Sequence, residues 1–123
     1  MHAEIVMIGT ELLLGEIVDT NANKLAIALR GIGLDLYYKT TVGDNVHRIA
    51  DVLNLALDRS DVVITSGGIG PTVDDVTRQA VADATGRRLV YSTQLEAEIA
   101  ERFRGFGRQM AENNKRQAYL PEG

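Results

Sequence analysis

The stretch "DVVITSGGIGPTVDDVT", residues 61–77, contains the clearest fold signal in the chain. It opens with a short, β-branched apolar run, which is typical of a buried strand, and it ends where a helical pattern begins. Three glycines, one proline and two adjacent aspartates lie between the two patterns. A strand that leads through a loop into a helix is the repeating unit of α/β folds, and such a loop lies at the carboxyl edge of the sheet.

The same alternation extends on both sides of this stretch. The patterns predict strands over residues 3–9, 34–42 and 61–67, and helices over residues 19–33, 45–60 and 77–85. Further along, they predict a fourth strand over residues 87–92, a helix over residues 93–106 and a more polar helix over residues 108–120. Strands that alternate with helices indicate a mostly parallel sheet covered on both faces.

Length and composition limit the class of protein. The 123 residues predict one domain, residues 1–123, and 45% hydrophobic residues suffice for a core. A net charge of -4 argues against broad nucleic-acid binding, and the absence of cysteine excludes disulfides and thiolate chemistry. Neither a signal peptide nor a membrane span is evident, so we predict a cytoplasmic protein without a membrane partner. The ending "AYLPEG" resembles a turn into another element, which suggests a fragment of a larger unit.

Acidic residues follow each of the three predicted strands. The three strand-to-helix loops, residues 9–21, 42–45 and 66–77, carry Glu11, Asp19, Asp44, Asp74 and Asp75. Because the carboxyl ends of parallel strands share one edge, we expect these side chains to gather there. Aspartate is also favoured at helix starts for capping alone, and this alternative applies to Asp19 and Asp44.

The third loop has the composition of an anion-binding loop. Gly67, Gly68 and Gly70 allow backbone N–H groups to approach a phosphate closely, and Thr65 and Ser66 add hydroxyls. It is not a Walker A loop, because no Lys-Ser/Thr pair follows and Lys24 and Lys39 lie elsewhere. We therefore predict a phosphate at the glycines, with the nearby carboxylates binding Mg²⁺ or moving a proton. Asp44 or Asp75 is the candidate general base toward water.

Three segments together resemble one family. "TSGGIGPTVDDVT", "GTELLLGEIVDTNANKLAIAL" and "VGDNVHRI" are similar, in this order, to signatures of the competence/damage-inducible protein A (CinA) family, within the superfamily of molybdopterin-binding domains. The resemblance runs from Glu4 to the end of the chain. Ile69 stands where the molybdenum cofactor proteins usually have threonine, which favours the CinA-like branch.

The resemblance implies a three-layer α/β/α fold, homo-oligomers, and metal-dependent hydrolysis of the pyrophosphate of ADP-ribose. The catalytic residues it implies are Asp44 and Asp75, and the predicted Mg²⁺ ligands are Asp44, Asp74 and Asp75. The predicted ligand-binding residues are Thr10, Glu11, Asp19, Asn21, Thr65, Ser66, Gly67, Gly68, Gly70 and Thr77. The deamidase domain of that family has no counterpart in this sequence. Two alternatives stay open: a non-catalytic module that binds a pterin or nucleotide, and a molybdenum cofactor biosynthesis enzyme.

Overall fold

The computed structural model describes all residues, Met1–Gly123. Its centre is a three-stranded sheet of β1 (His2–Ile8), β2 (Asp35–Val42) and β3 (Val62–Ser66) in the order β2-β1-β3. Both neighbours run parallel to β1, which is therefore the central strand. Parallel pairing places the carboxyl ends of all three strands at one edge, as the sequence predicts.

Five α-helices connect or follow the strands. They are α1 (Thr10–Leu13), α2 (Thr20–Gly31), α3 (Val46–Arg59), α4 (Thr77–Thr85) and α5 (Thr93–Gly105). α4 ends at Gly86, whose left-handed conformation (φ 64°) allows the chain to leave the helix at once. None of these helices combines the length and the apolar character needed to cross a membrane.

The core has two halves, one on each face of β1. Alternate residues of the strand point to opposite faces, and all of them from Ala3 to Ile8 are buried. On one face, Ala3, Ile5 and Met7 pack with Ala22 and Leu29 of α2. On the other, Val6 and Ile8 pack with Ile49, Leu53 and Ala56 of α3 and Ala80 of α4. The predicted three-layer α/β/α architecture is confirmed.

The C-terminal third differs from the prediction. The predicted fourth strand, β4 (Leu89–Tyr91), does not join the parallel sheet but pairs antiparallel with β5 (Tyr119–Pro121), which lies in the "AYLPEG" segment. The α-helix predicted over residues 108–120 is wrong, because only a 3-10 helix, Glu112–Ala118, forms there. The buried Asn114 side chain accepts a hydrogen bond from the Ala111 N–H (3.0 Å) and donates one to Gln117 (3.1 Å), a local bonding pattern that competes with a regular helix.

A buried carboxylate at the amino end of the sheet connects β1 with the end of α3. Glu4 of β1 is 0% exposed, and it accepts hydrogen bonds from Arg59 Nε (3.0 Å) and Nη2 (2.6 Å) and from the Ser60 hydroxyl (3.1 Å). The Arg59 guanidinium also lies 3.5 Å from the ring centroid of Tyr38. The hydrogen bonds from Arg59 lower the pKa of Glu4 below its ordinary 4.5, outweighing burial, which raises it.

The Glu4–Arg59 pair predicts that the stability of the wild type and that of Arg59→Met change in opposite directions when the pH falls. With its lowered pKa, Glu4 stabilises the wild-type fold above pH 4.5, and this contribution is lost as the pH falls through the lower folded value. In Arg59→Met the carboxylate stays buried without a cation, which is expected to cost about 3 kcal/mol of unfolding free energy at neutral pH. Burial then raises the pKa of Glu4, so acidification restores part of the loss.

Urea unfolding at pH 7 and at pH 5 measures this difference. Arg88→Met is the control, because Arg88 and Glu122 form an exposed pair. The interpretation fails if Arg59→Met is destabilised equally at both pH values, or no more than the control.

Candidate functional site

Two of the three loops are joined at the carboxyl edge of the sheet. The Thr10 N–H donates to Asp44 Oδ2 and the Asp44 N–H donates to Thr10 Oγ1, each at 3.1 Å. The Gly9 N–H also donates to the Val42 carbonyl at 2.9 Å. These bonds fix the exposed Asp44 carboxylate next to the start of the first loop.

Asp44 is not the cap of α3, contrary to the alternative considered for it. Asn45 is the N-cap, and its side chain accepts a hydrogen bond from the Arg48 N–H at 3.0 Å. Asp19, by contrast, does cap α2, because it accepts a hydrogen bond from the Ala22 N–H at 3.0 Å. Helix capping therefore accounts for Asp19 and does not account for Asp44.

The glycine loop crosses the end of β1 at very close range. Gly67 (φ 101°) and Gly68 (φ 68°) both lie in the left-handed region. A Cβ at Gly67 would overlap the carbonyl oxygen of Ile8, and a Cβ at Gly68 would overlap the Thr77 hydroxyl. Both glycines are therefore required by backbone conformation and by space.

Thr77 holds the loop from the side of α4. It is 2% exposed, its hydroxyl donates to the Gly67 carbonyl (2.7 Å) and its N–H donates to the Gly68 carbonyl (3.1 Å). Every peptide bond is trans, so the N–H of the same peptide points away from its carbonyl. The N–H groups of Gly68 and Ile69 therefore point away from α4. The structure thus gives Thr77 a positioning role in the loop, and the ligand contact stays a prediction.

These amides have no partner in the chain. The hydrogen bonds of the molecule include no donation from the N–H of Gly67, Gly68 or Ile69. Backbone N–H groups need an acceptor, and a phosphate oxygen is a strong one. Three adjacent free amides are the glycine-loop part of the anion site that the sequence predicts; the start of α4 is not part of it, because the N–H groups of Gly68 and Ile69 point away from that helix.

The far side of the loop is held by Arg78. Its guanidinium donates to the carbonyl oxygens of Ile69 (2.6 Å) and Gly70 (2.8 Å). Burial lowers the pKa of Arg78, and nearby Arg116 lowers it further, while Asp75 opposes both. Arg78 is thus a part-buried cation that fixes the orientation of two peptides.

Asp75 is engaged within the loop. Its Oδ2 accepts hydrogen bonds from the Thr72 hydroxyl (2.7 Å) and the Thr72 N–H (3.0 Å). Burial raises the pKa of Asp75, but the hydrogen bonds from Thr72 and Gly70 and the charge of Arg78 outweigh it, so the pKa is lowered. A carboxylate with a lowered pKa accepts a proton poorly at neutral pH, so this geometry suits a charged loop anchor.

Five predicted ligand-binding residues meet in one cavity. A space of about 160 Å³ between the first loop and the glycine loop is lined by eleven residues, among them Glu11, Asp19, Asn21, Ser66 and Gly67. A neighbouring groove of about 370 Å³ is lined by Asn21, Lys24, Leu25, Ile64, Thr65 and Ser66. Asn21 and Ser66 line both spaces, so Thr65 also lies beside the predicted site.

The predicted metal ligands are not assembled. Asp44, Asp74 and Asp75 line neither space, and nowhere in the chain do three acidic or histidine side chains converge. Asp74 is exposed and Asp75 is occupied by Thr72. The carboxylates of this chain do not by themselves form a cation cage.

Sequence reasoning missed two cations. Lys24 does not follow the glycine loop in sequence and so does not fit a Walker A pattern, yet it lies three residues after Asn21 on one face of α2. That spacing is a signal available in the sequence. Arg78, directly after Thr77, offered no signal, because its contacts depend on how the loop folds back.

A family model described as a probable molybdopterin binding domain matches residues 4–121. The chain belongs to this family. It is 53% identical over 123 residues to a competence-damage inducible protein of Symbiobacterium thermophilum, and 49% identical over 123 residues to one of Caldicellulosiruptor saccharolyticus. The match covers all of the chain but 29% and 30% of these relatives, so the chain spans about a third of the length of the curated relatives it matches.

Solved structures agree with this assignment. The protein CinA from Thermoplasma acidophilum superimposes with a TM-score of 0.88 at 30% identity, covering 98% of this chain and 70% of that one. The molybdopterin biosynthesis enzyme MoaB from Thermus thermophilus has a TM-score of 0.66 at 24% identity, covering 95% and 69%. The MoaB match shows the fold alone.

The role of Thr77 can be tested by substitution. Thr77→Val keeps the shape of the side chain but leaves the Gly67 carbonyl without its hydroxyl partner. We expect a loss of about 1–3 kcal/mol in unfolding free energy, measured by urea titration. Thr77→Ser, which retains the hydroxyl, is expected to lose clearly less. Equal losses in the two variants would mean that the methyl group, and not the hydrogen bond, matters at this position.

Proposed function

We propose that this domain binds a phosphorylated nucleotide at the glycine loop and hydrolyses a phosphoanhydride, with ADP-ribose or a related dinucleotide as substrate. The observation that carries the proposal is the row of three free amides at Gly67, Gly68 and Ile69, the first of which lines a cavity together with Glu11. The resemblance to the CinA family supplies the substrate class. In this proposal, the amides bind the non-bridging oxygens of one phosphate and stabilise the charge that builds up there.

The reaction breaks one P–O bond. Water attacks one phosphorus of the pyrophosphate, the bridging oxygen leaves with the other phosphate, and AMP and ribose 5-phosphate are formed. Asp44 is the candidate to orient the water and to accept its proton, because its carboxylate is exposed and fixed by Thr10. Asp75 keeps the loop in shape, since its lowered pKa and its bonds to Thr72 suit that role better.

A divalent cation fits this site only together with the substrate. Mg²⁺ usually takes one or two protein carboxylates plus phosphate oxygens and water, so a cage of three side chains is not required. Asp44 and the exposed Asp74 are the carboxylates proposed to complete such a shell. The cation would neutralise phosphate charge, and its affinity in the absence of substrate should be low.

A non-catalytic binding module is the second candidate. It is favoured by the unassembled carboxylates and by the engaged Asp75, and the family description points to a pterin as the ligand. A molybdenum cofactor biosynthesis enzyme has less support, because the solved structures of such proteins that this chain resembles share only 23–24% identity with it. The two main candidates make different predictions for turnover but the same prediction for phosphate binding.

Product analysis decides between them. We expect the chain to release AMP from ADP-ribose with Mg²⁺ but not with EDTA, as followed by ion-exchange chromatography. Asp44→Asn is expected to lower the rate about 100-fold or more, since a general base contributes at least that much. Asp51→Asn is the matched control, because Asp51 is exposed on α3, outside the loops.

Each other result has a defined meaning. Calorimetric binding of ADP-ribose without AMP release would support the binding module. Hydrolysis that Asp44→Asn leaves intact would contradict the role of Asp44 alone. Neither binding nor release would contradict the proposal as a whole.

A further inference from the structure

The groove next to the site cavity has a distinct chemistry. Its polar lining consists of Asn21, Lys24, Thr65 and Ser66, and its apolar lining consists of Leu25 and Ile64. It contains no carboxylate, whereas the adjoining cavity contains Glu11 and Asp19. An ammonium group, an amide and two hydroxyls can all donate hydrogen bonds, so this groove suits an anion.

Lys24 has no assigned partner in the chain. The five ion pairs of the molecule do not include it, and it is the one cationic residue lining either space. The chain as a whole has a net charge of -4. A free cation among hydroxyls at this edge attracts an anion locally even though the whole molecule repels one.

The position of the groove relates it to the glycine loop. Ser66 lines both the groove and the cavity, and it directly precedes Gly67, the first of the free amides. Ser66 therefore borders both the space beside Lys24 and the start of the row of free amides. Two phosphates joined by one bridging atom have the connectivity to occupy both places.

We propose that Lys24, with Asn21, Thr65 and Ser66, forms a second anion subsite that takes the second phosphate of a diphosphate ester. The proposal rests on the proposed function of the glycine loop, which takes the first phosphate. Lys24 is then a specificity-determining residue: it distinguishes a diphosphate from a monophosphate.

Isothermal titration calorimetry on the 123-residue chain tests this assignment. The probes are AMP and α,β-methylene-ADP, a diphosphate ester that resists hydrolysis between its phosphates. Lys24→Gln is expected to weaken binding of the diphosphate about tenfold and to change AMP binding less than about twofold, since a charge-assisted hydrogen bond is worth at least one such factor. Lys24→Arg is expected to retain most of the preference for the diphosphate.

Lys39→Gln is the matched control. Lys39 is an exposed lysine without an ion pair on β2, at the opposite edge of the sheet from β3. It makes the same change in net charge, so an equal effect of both substitutions would overturn a specific subsite. The affinity of the wild type for the diphosphate should also fall more steeply with salt than that of Lys24→Gln.

The outcomes separate this inference from the proposed function. If the wild type binds both probes and Lys24→Gln binds them equally well, the second subsite is wrong and the glycine loop proposal stands. If Lys24→Gln weakens AMP and the diphosphate by the same factor, Lys24 does not recognise the second phosphate. If the wild type binds neither probe, both proposals fail.

Discussion

The candidate site depends on two hydrogen bonds that Thr77 donates to the carbonyls of Gly67 and Gly68. A loop of small residues has many conformations, and its amides would otherwise point in many directions. The hydroxyl of the buried Thr77 donates to the Gly67 carbonyl, and the N–H of Thr77 donates to the Gly68 carbonyl. Because both carbonyls point toward Thr77, the N–H groups of Gly68 and Ile69 point away from it. On its way to Thr77 the loop passes so close to the Ile8 carbonyl oxygen that position 67 has no room for a Cβ. The end of the central strand, the glycines and the start of α4 are thus one structural unit.

The structure of this unit also explains how aspartates and a bound phosphate can lie at the same edge of the sheet. Asp75 is held inside the loop by Thr72, and Asp44 is held by Thr10 on the other side, toward β2. Neither lines the groove that contains Lys24. The repulsion that two adjacent aspartates would exert on a phosphate is reduced because one of them takes part in the internal bonding of the loop, while the guanidinium of Arg78 opposes its charge.

Much of the fold could be predicted from the sequence because its main signals are local. The apolar run of β1, the alternation of strands and helices and the end of α4 at Gly86 all follow from short patterns. The pairing of β4 with β5 could not be predicted, since it joins two three-residue strands that are distant in sequence.

The site was predictable to a similar extent. Convergence of Glu11, Asp19 and Asn21 with the glycine loop follows from the parallel sheet. The choice of Asn45 over Asp44 as the cap does not follow, because both residues have the same preference for that position. The side-chain orientations of Asp75 and Arg78 cannot be predicted from the sequence either, because they depend on how the loop folds back on α4.

The central place of β1 has a consequence for synthesis. Ala3 pairs with Leu36 of β2 and with Val62 of β3, so β1 is synthesised well before either neighbouring strand exists. Since residues emerge from the ribosome at roughly 5–20 per second, β1 spends several seconds as an apolar segment with two unpaired edges. Contacts this distant in sequence also form slowly. The same strand that organises the finished domain is therefore, in the nascent chain, an apolar segment that is open to aggregation until its neighbours are made.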